Sequence, residues 1–244
     1  TFYVSEDAAV GTSVGNISAS DIDISNNADL RYTITDGDSS NQFAIVDTTG
    51  NITVNGALDR EAITNYTLTV QVTDLGNPAL QNSVTVLIIV NDVNDNNPIF
   101  TQTLYETQYE ENSNTGLSVL TVTATDVDNG TNAAITYSIS NTSTTGLSYF
   151  NIDSSSGQVT IGSSLDREAD EIVTFVVLAT DGGTPALTGT TTVRVNVTDL
   201  NDNPPVFNPD FYSIEIPYDS TSTEVLTTVS ATDADITTNA EIIF

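Results

Sequence analysis

The chain has 244 residues, room for about two domains of ordinary size. Four arginines and no lysine stand against 33 acids, a net charge of −29, which excludes the basic footprint that nucleic-acid binding requires. Without cysteine, histidine, lysine, methionine or tryptophan the chain cannot build a Ser-His-Asp triad, a thiol nucleophile, a His/Cys zinc site, a Schiff base or a P-loop, yet 38% hydrophobic residues, many β-branched, argue for a folded β-protein rather than acidic disorder.

In chain order, the first acidic landmark is Glu6, followed 15 residues later by Asp21 in "ASDIDISNNA" (residues 19–28). Asp36 and Asp38 in "TDGDSS" read as a solvated turn. "FAIVDTTGNITV" (43–54) predicts a hairpin with Gly50 in its turn. "LDREA" (58–62) precedes an alternating strand, Tyr66, Leu68, Val70 and Val72, that runs into Asp74. A second alternating strand, Val86, Ile88 and Val90, runs into "DVNDNNP" (92–98). The longest strongly apolar run, Val84 to Val90, has seven residues, far short of the roughly 20 a membrane helix needs. No basic-then-apolar leader opens the chain, so any export signal is expected to have been removed or to lie upstream.

The same series then returns. Glu111 precedes Asp126 by 15 residues, within "ATDVDNGTNA" (124–133). "FNIDSSSGQVTI" (150–161) predicts a second hairpin around Gly157, and "LDREA" recurs at 165–169. Val173, Phe175, Val177 and Ala179 lead to Asp181, and Val193, Val195 and Val197 lead to "DLNDNPP" (199–205). "ATDADITTNA" (231–240) begins a third round. The period is 105 to 107 residues. Short alternating strands separated by Gly, Asn and Asp clusters, with no helical periodicity, predict an antiparallel Greek-key sandwich. The repeats are expected at 1–98, 99–205 and 206–244, the last an incomplete piece with two predicted strands that needs chain beyond Phe244 to close.

Two carboxylates at about 4 Å repel by about 4 kcal/mol at an effective dielectric near 20, so a recurring acidic constellation asks for a counter-ion. Oxygen ligands without His or Cys select calcium or magnesium, and calcium accepts the larger, irregular set that includes amide oxygens and backbone carbonyls. An EF-hand loop does not fit: counted from Asp126 the twelfth position is Tyr137 instead of Glu, and counted from Asp92 the sixth is Asn97 instead of Gly. The ligands must be gathered by the fold.

The ordered set of an early Glu, D-x-D, N-A, L-D-R-E, an Asp after an alternating strand and D-x-N-D-N resembles the cadherin extracellular repeat over essentially the whole chain. The resemblance implies all-β tandem seven-stranded immunoglobulin-like sandwiches with three Ca2+ ions at each complete junction. Carried over by position, the first junction takes Glu6, Asp59 and Glu61, the side chains of Asn94 and Asp95, the carbonyls of Val93 and Asn96, and Asp126, Asp128, Asp181 and the carbonyl of Asn132. Its seven carboxylates are nearly neutralised by three divalent ions. The second junction takes Glu111, Asp166, Glu168, Asn201, Asp202, Asp233 and Asp235, with the carbonyls of Leu200, Asn203 and Asn239. Asp21, Asp23, Asn27 and Asp74 form half of a further junction, expected to be weak or empty. The third repeat departs from the pattern, with Tyr218 where the early Glu belongs and Asp219 beside it as a substitute.

Within these motifs Arg60 and Arg167 read as charge partners, and Asp92 and Asp199 as residues that shape the linker rather than bind metal. Six Asn-x-Ser/Thr triplets, at Asn16, Asn51, Asn65, Asn129, Asn141 and Asn196, lean towards secretion. The expected role is calcium-dependent cell–cell adhesion, homophilic first, by an ectodomain of a single-pass membrane protein of the protocadherin or Fat-like kind. Its partner would be another cadherin-like ectodomain; neither nucleic acid nor direct membrane contact is expected. The alternative is a calcium-stiffened spacer in a long rod, since no tryptophan is present to act as a swapped anchor. A glycosidase built on paired carboxylates is the rival from another class, disfavoured because every acidic group recurs in each repeat whereas an active site is normally unique.

Overall fold

The computed structural model describes residues 1–23, 28–216, 218 and 225–244. Asn27 and Asp219, both named above, lie outside the described residues. The chain divides into two compact units: residues 1–97 with 126–134 and 182–187, and residues 98–125 with 135–181 and 188–244.

In the first unit seven strands follow in order: β1 (Phe2–Ser5), β2 (Ser13–Asn16), β3 (Leu30–Asp36), β4 (Phe43–Ile45), β5 (Asn51–Val54), β6 (Asn65–Asp74) and β7 (Gln81–Asn91). They form a four-stranded sheet, β1-β7-β6-β3, and a three-stranded sheet, β2-β5-β4. The predicted alternation fixes which face is inside: Tyr66, Leu68 and Val70 of β6 and Val86, Ile88 and Val90 of β7 are buried, while Thr67 and Thr69 of β6 and the half-buried Leu87 and Ile89 of β7 lie on the other face. Phe43, Ile52 and Val54 supply the other inner face, and Phe43 meets the Tyr66 ring edge-on at 4.9 Å between centroids. Among the described strands of this unit β1 alone runs parallel to its neighbour, Phe2 lying opposite Ile88 and Ser5 opposite Asn91, which delivers Glu6 to the end of β7.

The second unit repeats the plan with β8 (Ile99–Phe100), β9 (Leu104–Glu110), β10 (Ser118–Thr121), β11 (Ala124–Thr125), β12 (Thr136–Ile139), β13 (Phe150–Ile152), β14 (Gln158–Ile161), β15 (Ile172–Thr180) and β16 (Thr188–Thr198). Its sheets are β12-β15-β16-β9, β10-β14-β13 and the short pair β11-β8. Val173, Phe175, Val177, Ala179, Val193, Val195 and Val197 are buried, the side chains that the alternation assigned to the inside. Here β9 runs parallel to β16 over seven paired residues, from Leu104 opposite Thr192 to Glu110 opposite Thr198, and so delivers Glu111. In the remaining segment β17 (Val206–Phe207) pairs with β18 (Ala231–Thr232), as two predicted strands require.

Both hairpins form where expected. Gly50 and Gly157 adopt φ of +69° and +70°, and a Cβ on either would run into a backbone carbonyl, that of Ile17 or Val122. One departure from the sequence reading is helical: α1 (Thr144–Tyr149) is a six-residue helix between β12 and β13, and Thr237–Ala240 form a 3-10 turn. Six residues are too few to display helical periodicity. The helix depends on tertiary contact instead, because Gly146 lies flat against the Phe175 side chain and the Ser143 hydroxyl accepts the Val176 N–H at 2.9 Å.

Leu68→Ala is expected to destabilise the first unit by about 2–5 kcal/mol, since Leu68 is fully buried and the cavity cannot collapse between two sheets. Chemical denaturation followed by tyrosine fluorescence checks this; a loss well under 1 kcal/mol would place Leu68 outside the core.

Candidate metal centres

In the first unit the site begins with Glu6. Placed beyond β1, its carboxylate is buried and accepts two backbone N–H groups, from Arg60 at 2.8 Å and from Val93 at 2.7 Å. One side chain thereby fastens L-D-R-E and D-x-N-D-N to the same point. Arg60 then pairs with Glu61 and Asp92, and donates to the Val127 carbonyl at 2.8 Å. The other oxygen of Asp92 accepts the Asn129 N–H at 3.0 Å and the Asn132 side-chain amide at 2.8 Å.

The linker continues the chain of contacts. Asn96 donates its side-chain amide to Asp95 at 2.7 Å and to Asp128 at 2.9 Å. D-x-D is a local turn in which the Asp126 carboxylate accepts the Asp128 N–H at 3.0 Å, turning the Asp128 side chain inward. Asn94 is anchored by donation to the Pro185 carbonyl at 2.7 Å, and Gly183 leaves the room that the Asn94 side chain fills. Asp59 accepts the Ala62 N–H at 2.9 Å, a small loop that sets up the Glu61 carboxylate.

The second unit reproduces most of these contacts. Glu111, 1% exposed, accepts the N–H groups of Arg167 at 2.7 Å and Leu200 at 2.9 Å. Arg167 pairs with Glu168 and with Asp199 at 2.6 Å, and donates to the Ala234 carbonyl at 2.7 Å. Asp199 accepts the Asn239 amide at 2.9 Å and the Ile236 N–H at 3.2 Å. Asn203 donates to Asp202 at 2.6 Å and to Asp235 at 2.9 Å, and Asp233 turns Asp235 inward through its N–H at 3.0 Å. Asp166 accepts the Ala169 N–H at 3.1 Å.

Among the described residues, four groups of carboxylates therefore have ligand oxygens within 4.8 Å of one another: Glu6, Glu61 and Asp92; Glu61, Asp95 and Asp128; Glu111, Glu168 and Asp199; and Glu168, Asp202 and Asp235. Their electrostatics are unfavourable. Burial, reinforced by the neighbouring Glu6 charge, raises the Glu61 carboxyl, and Asp95 is raised by burial and by Glu6, Asp128 and Asp59. Glu168 is raised by burial and then by Glu111 and Asp202. One Asp126 oxygen is buried without a hydrogen-bond partner. Crowded, desolvated carboxylates and an unsatisfied buried oxygen are what a hard divalent cation relieves, so the donor set fits calcium or magnesium chemistry.

Glu6, Glu61, Asp95, Asn96 and Asp128 of the sequence-predicted set are brought together, as are Glu111, Glu168, Asp202, Asn203 and Asp235. Asp181 closes β15 and is buried in the second unit, while the other first-junction candidates belong to the first. Asp74 is likewise buried and accepts the Gly76 and Leu80 N–H groups, and Asp23 donates its N–H to Asp21 at 2.9 Å in the same D-x-D turn. Asp38 does more than line a solvated turn, because its two oxygens accept the Gln42 and Phe43 N–H groups at 2.8 Å. Asp92 and Asp199, read from the sequence as shaping the linker, pair with Arg60 and Arg167 and stand within the ligand groups, and that pairing across 32 residues left no local pattern to read.

Compared with known proteins, residues 1–91 and 105–198 match the family model for the cadherin domain. The chain belongs to the cadherin family. It is 39% identical over 241 residues to human protocadherin Fat 4 and 38% identical over 243 residues to Drosophila dachsous, in each case 98% of this chain. It spans only 5% and 7% of those relatives' lengths. Among solved structures, mouse cadherin-23 EC22–24 superposes with a TM-score of 0.88 at 30% identity, covering 98% of this cadherin chain and 76% of that one. The all-β tandem-sandwich fold expected from the sequence is therefore the cadherin fold, and the chain is not an enzyme.

Two measurements on the chelated chain check this geometry. Glu111→Ala abandons the buried Arg167 N–H, at a cost of about 1–3 kcal/mol, and the part-buried Leu200 N–H, read as a shift in denaturation midpoint; no shift would mean those bonds are not made. Asp95→Asn tests the pKa direction. A carboxyl raised on folding adds stability that is complete below the unfolded value, about pH 4, and is lost as pH rises through the folded value. Asp95→Asn should therefore stabilise the metal-free chain at neutral pH and give no gain in acid.

Proposed function

We propose that this chain is part of an extracellular cadherin rod in which Ca2+ stiffens the junctions between successive repeats, in the service of cell–cell adhesion. The observation that carries this reading is the duplication of one acidic constellation, the same two groups of three carboxylates, in two consecutive repeats. The repeats proposed are 1–98, 99–205 and 206–244. Glu6, Asp59, Glu61, Asn94, Asp95, Asp126 and Asp128, with the carbonyls of Val93, Asn96 and Asn132, would hold the ions in the first unit. Glu111, Asp166, Glu168, Asn201, Asp202, Asp233 and Asp235, with the carbonyls of Leu200, Asn203 and Asn239, would hold them in the second. Three ions serve each complete site.

Calcium supplies positive charge that the chain lacks. The residues do the rest: Glu6 and Glu111 pin two motifs to one point, Asn96 and Asn203 align the aspartates, and the arginines stop each cluster from opening before metal arrives. Affinity in the range of about 10⁻⁴ to 10⁻³ M suits an extracellular module that senses millimolar calcium. Another cadherin-like ectodomain is the proposed partner, and the outside of the plasma membrane the proposed location. Among the described residues no helix is long and apolar enough to cross a membrane.

That the chain spans 5–7% of its relatives supports a second reading, as a spacer whose adhesive repeats lie elsewhere. Beads coated with the chain and mixed with calcium separate the two: aggregation favours adhesion by this segment, dispersion the spacer.

Small-angle scattering with calcium and with chelator tests the shared claim. Calcium at ten times Kd should add about 1.4 kcal/mol of stability and lengthen the particle, and Asp95→Ala should abolish much of both responses. Calorimetry showing no calcium uptake at millimolar concentration would refute the reading.

A further inference from the structure

The six Asn-x-Ser/Thr triplets are not equivalent once strand register is known. In the first sandwich Asn65 opens β6 and lies directly opposite Ile89 of β7. In the second, Ile172 opens β15 and lies directly opposite Asn196 of β16. Each residue of the second pair lies 107 positions after its counterpart, so the same rung of the same sheet carries one isoleucine and one asparagine in both repeats, exchanged between strands. The triplet moves with the asparagine: Asn65-Tyr66-Thr67 on one strand, Asn196-Val197-Thr198 on the other. What persists at that rung is an acceptor amide beside an isoleucine, although neither strand position keeps its residue.

The rung faces outward. Tyr66 and Val197, the middle residues of the triplets, are buried, while Asn65, Thr67 and Thr198 are exposed, Asn196 and Ile89 half-exposed and Ile172 46% exposed. The Asn65 amide donates to the adjacent Thr64 hydroxyl at 3.2 Å, and the Asn196 amide to Glu106 at 3.1 Å. An amide substituted once on nitrogen keeps one N–H and can keep either bond. Beside Asn65 a surface depression of about 400 Å³ is lined by Thr64, Asn65, Leu87 and Ile89, among others. Asn16 and Asn51 differ: they face each other across β2 and β5, Asn16 donates to the Thr49 carbonyl and Asn51 accepts from Ser13, so two substituents there would collide.

We propose that Asn65 and Asn196 carry N-linked glycans at this shared rung, the innermost sugar of each lying against the paired isoleucine. In the reaction, the amide nitrogen attacks the anomeric carbon of the N-acetylglucosamine of a lipid-diphosphate-linked oligosaccharide. A C–N bond forms, the C–O bond to the diphosphate breaks with its electron pair leaving on the lipid diphosphate, and the amide loses one proton. The proposal rests on the extracellular reading above, because that donor is met on the secretory route.

The test is to express the full 244-residue chain behind a secretion leader in eukaryotic cells and map its peptides before and after a glycosidase that converts a glycosylated Asn to Asp. Conversion at both Asn65 and Asn196 is expected, with one glycan lost in Asn65→Gln or Thr67→Ala and one in Asn196→Gln. Combining Asn65→Ile, Ile89→Asn and Asn91→Thr should carry the modification to position 89, as in the second repeat. If a variant is retained by the cell, the same peptides are read from its microsomes. Unmodified Asn65 and Asn196 in the wild-type chain overturn the proposal. Calcium titration of the same material scores the extracellular reading separately, so bare asparagines with intact calcium uptake sink this inference alone.

Discussion

Arg60 and Arg167 each face more negative charge than one guanidinium can balance. Arg60 touches Glu61 and Asp92, with Glu6 bonded to its own backbone N–H, and Arg167 stands in the same relation to Glu168, Asp199 and Glu111. In a chain of net charge −29 these are two of only four cations, and both are committed to the acidic clusters. The imbalance orders the rest of the site. Hydrogen bonds from Asn96, Asn129, Asn132 and their counterparts spread the charge, burial and neighbouring carboxylates still raise the Glu61 and Asp95 carboxyls, and the residual demand is for an ion from solution. The arginines preassemble the carboxylates, which lowers the cost of organising ligands when metal binds.

The sandwich exists to deliver these groups to one end. Glu6 and Glu111 arrive there because β1 and β9 run parallel to the last long strand of each repeat, so that the strand and the linker that follows it finish at the same level. A carboxylate one residue beyond the strand can then reach the N–H of the linker's second residue, Val93 or Leu200. Moving that glutamate by one residue would turn its side chain to the opposite face.

Period-two alternation in β6, β7, β15 and β16 was enough to name nearly every inward side chain, because a half-buried strand allows no other pattern. The repeat gave the acidic landmarks and their order. Two kinds of feature stayed hidden. The six-residue helix α1 is held by Phe175 and Val176, distant in sequence and without a local signal. The double duty of Asp92 and Asp199 is a matter of which oxygen faces which partner, and one residue letter covers both oxygens. Asn132 and Asn239 showed the same limit: their place in N-A marked them out, but that their side chains serve the linker aspartates follows only from three dimensions.

The parallel pairing of first and last strands bears on how such a chain transmits load. Tension applied at the two ends of a repeat pulls β1 and β7, or β9 and β16, in opposite directions along their shared axis. Their hydrogen bonds lie across that axis, so the rungs are sheared as a set instead of being peeled one at a time. In the second repeat seven paired residues, from Leu104 opposite Thr192 to Glu110 opposite Thr198, share that load.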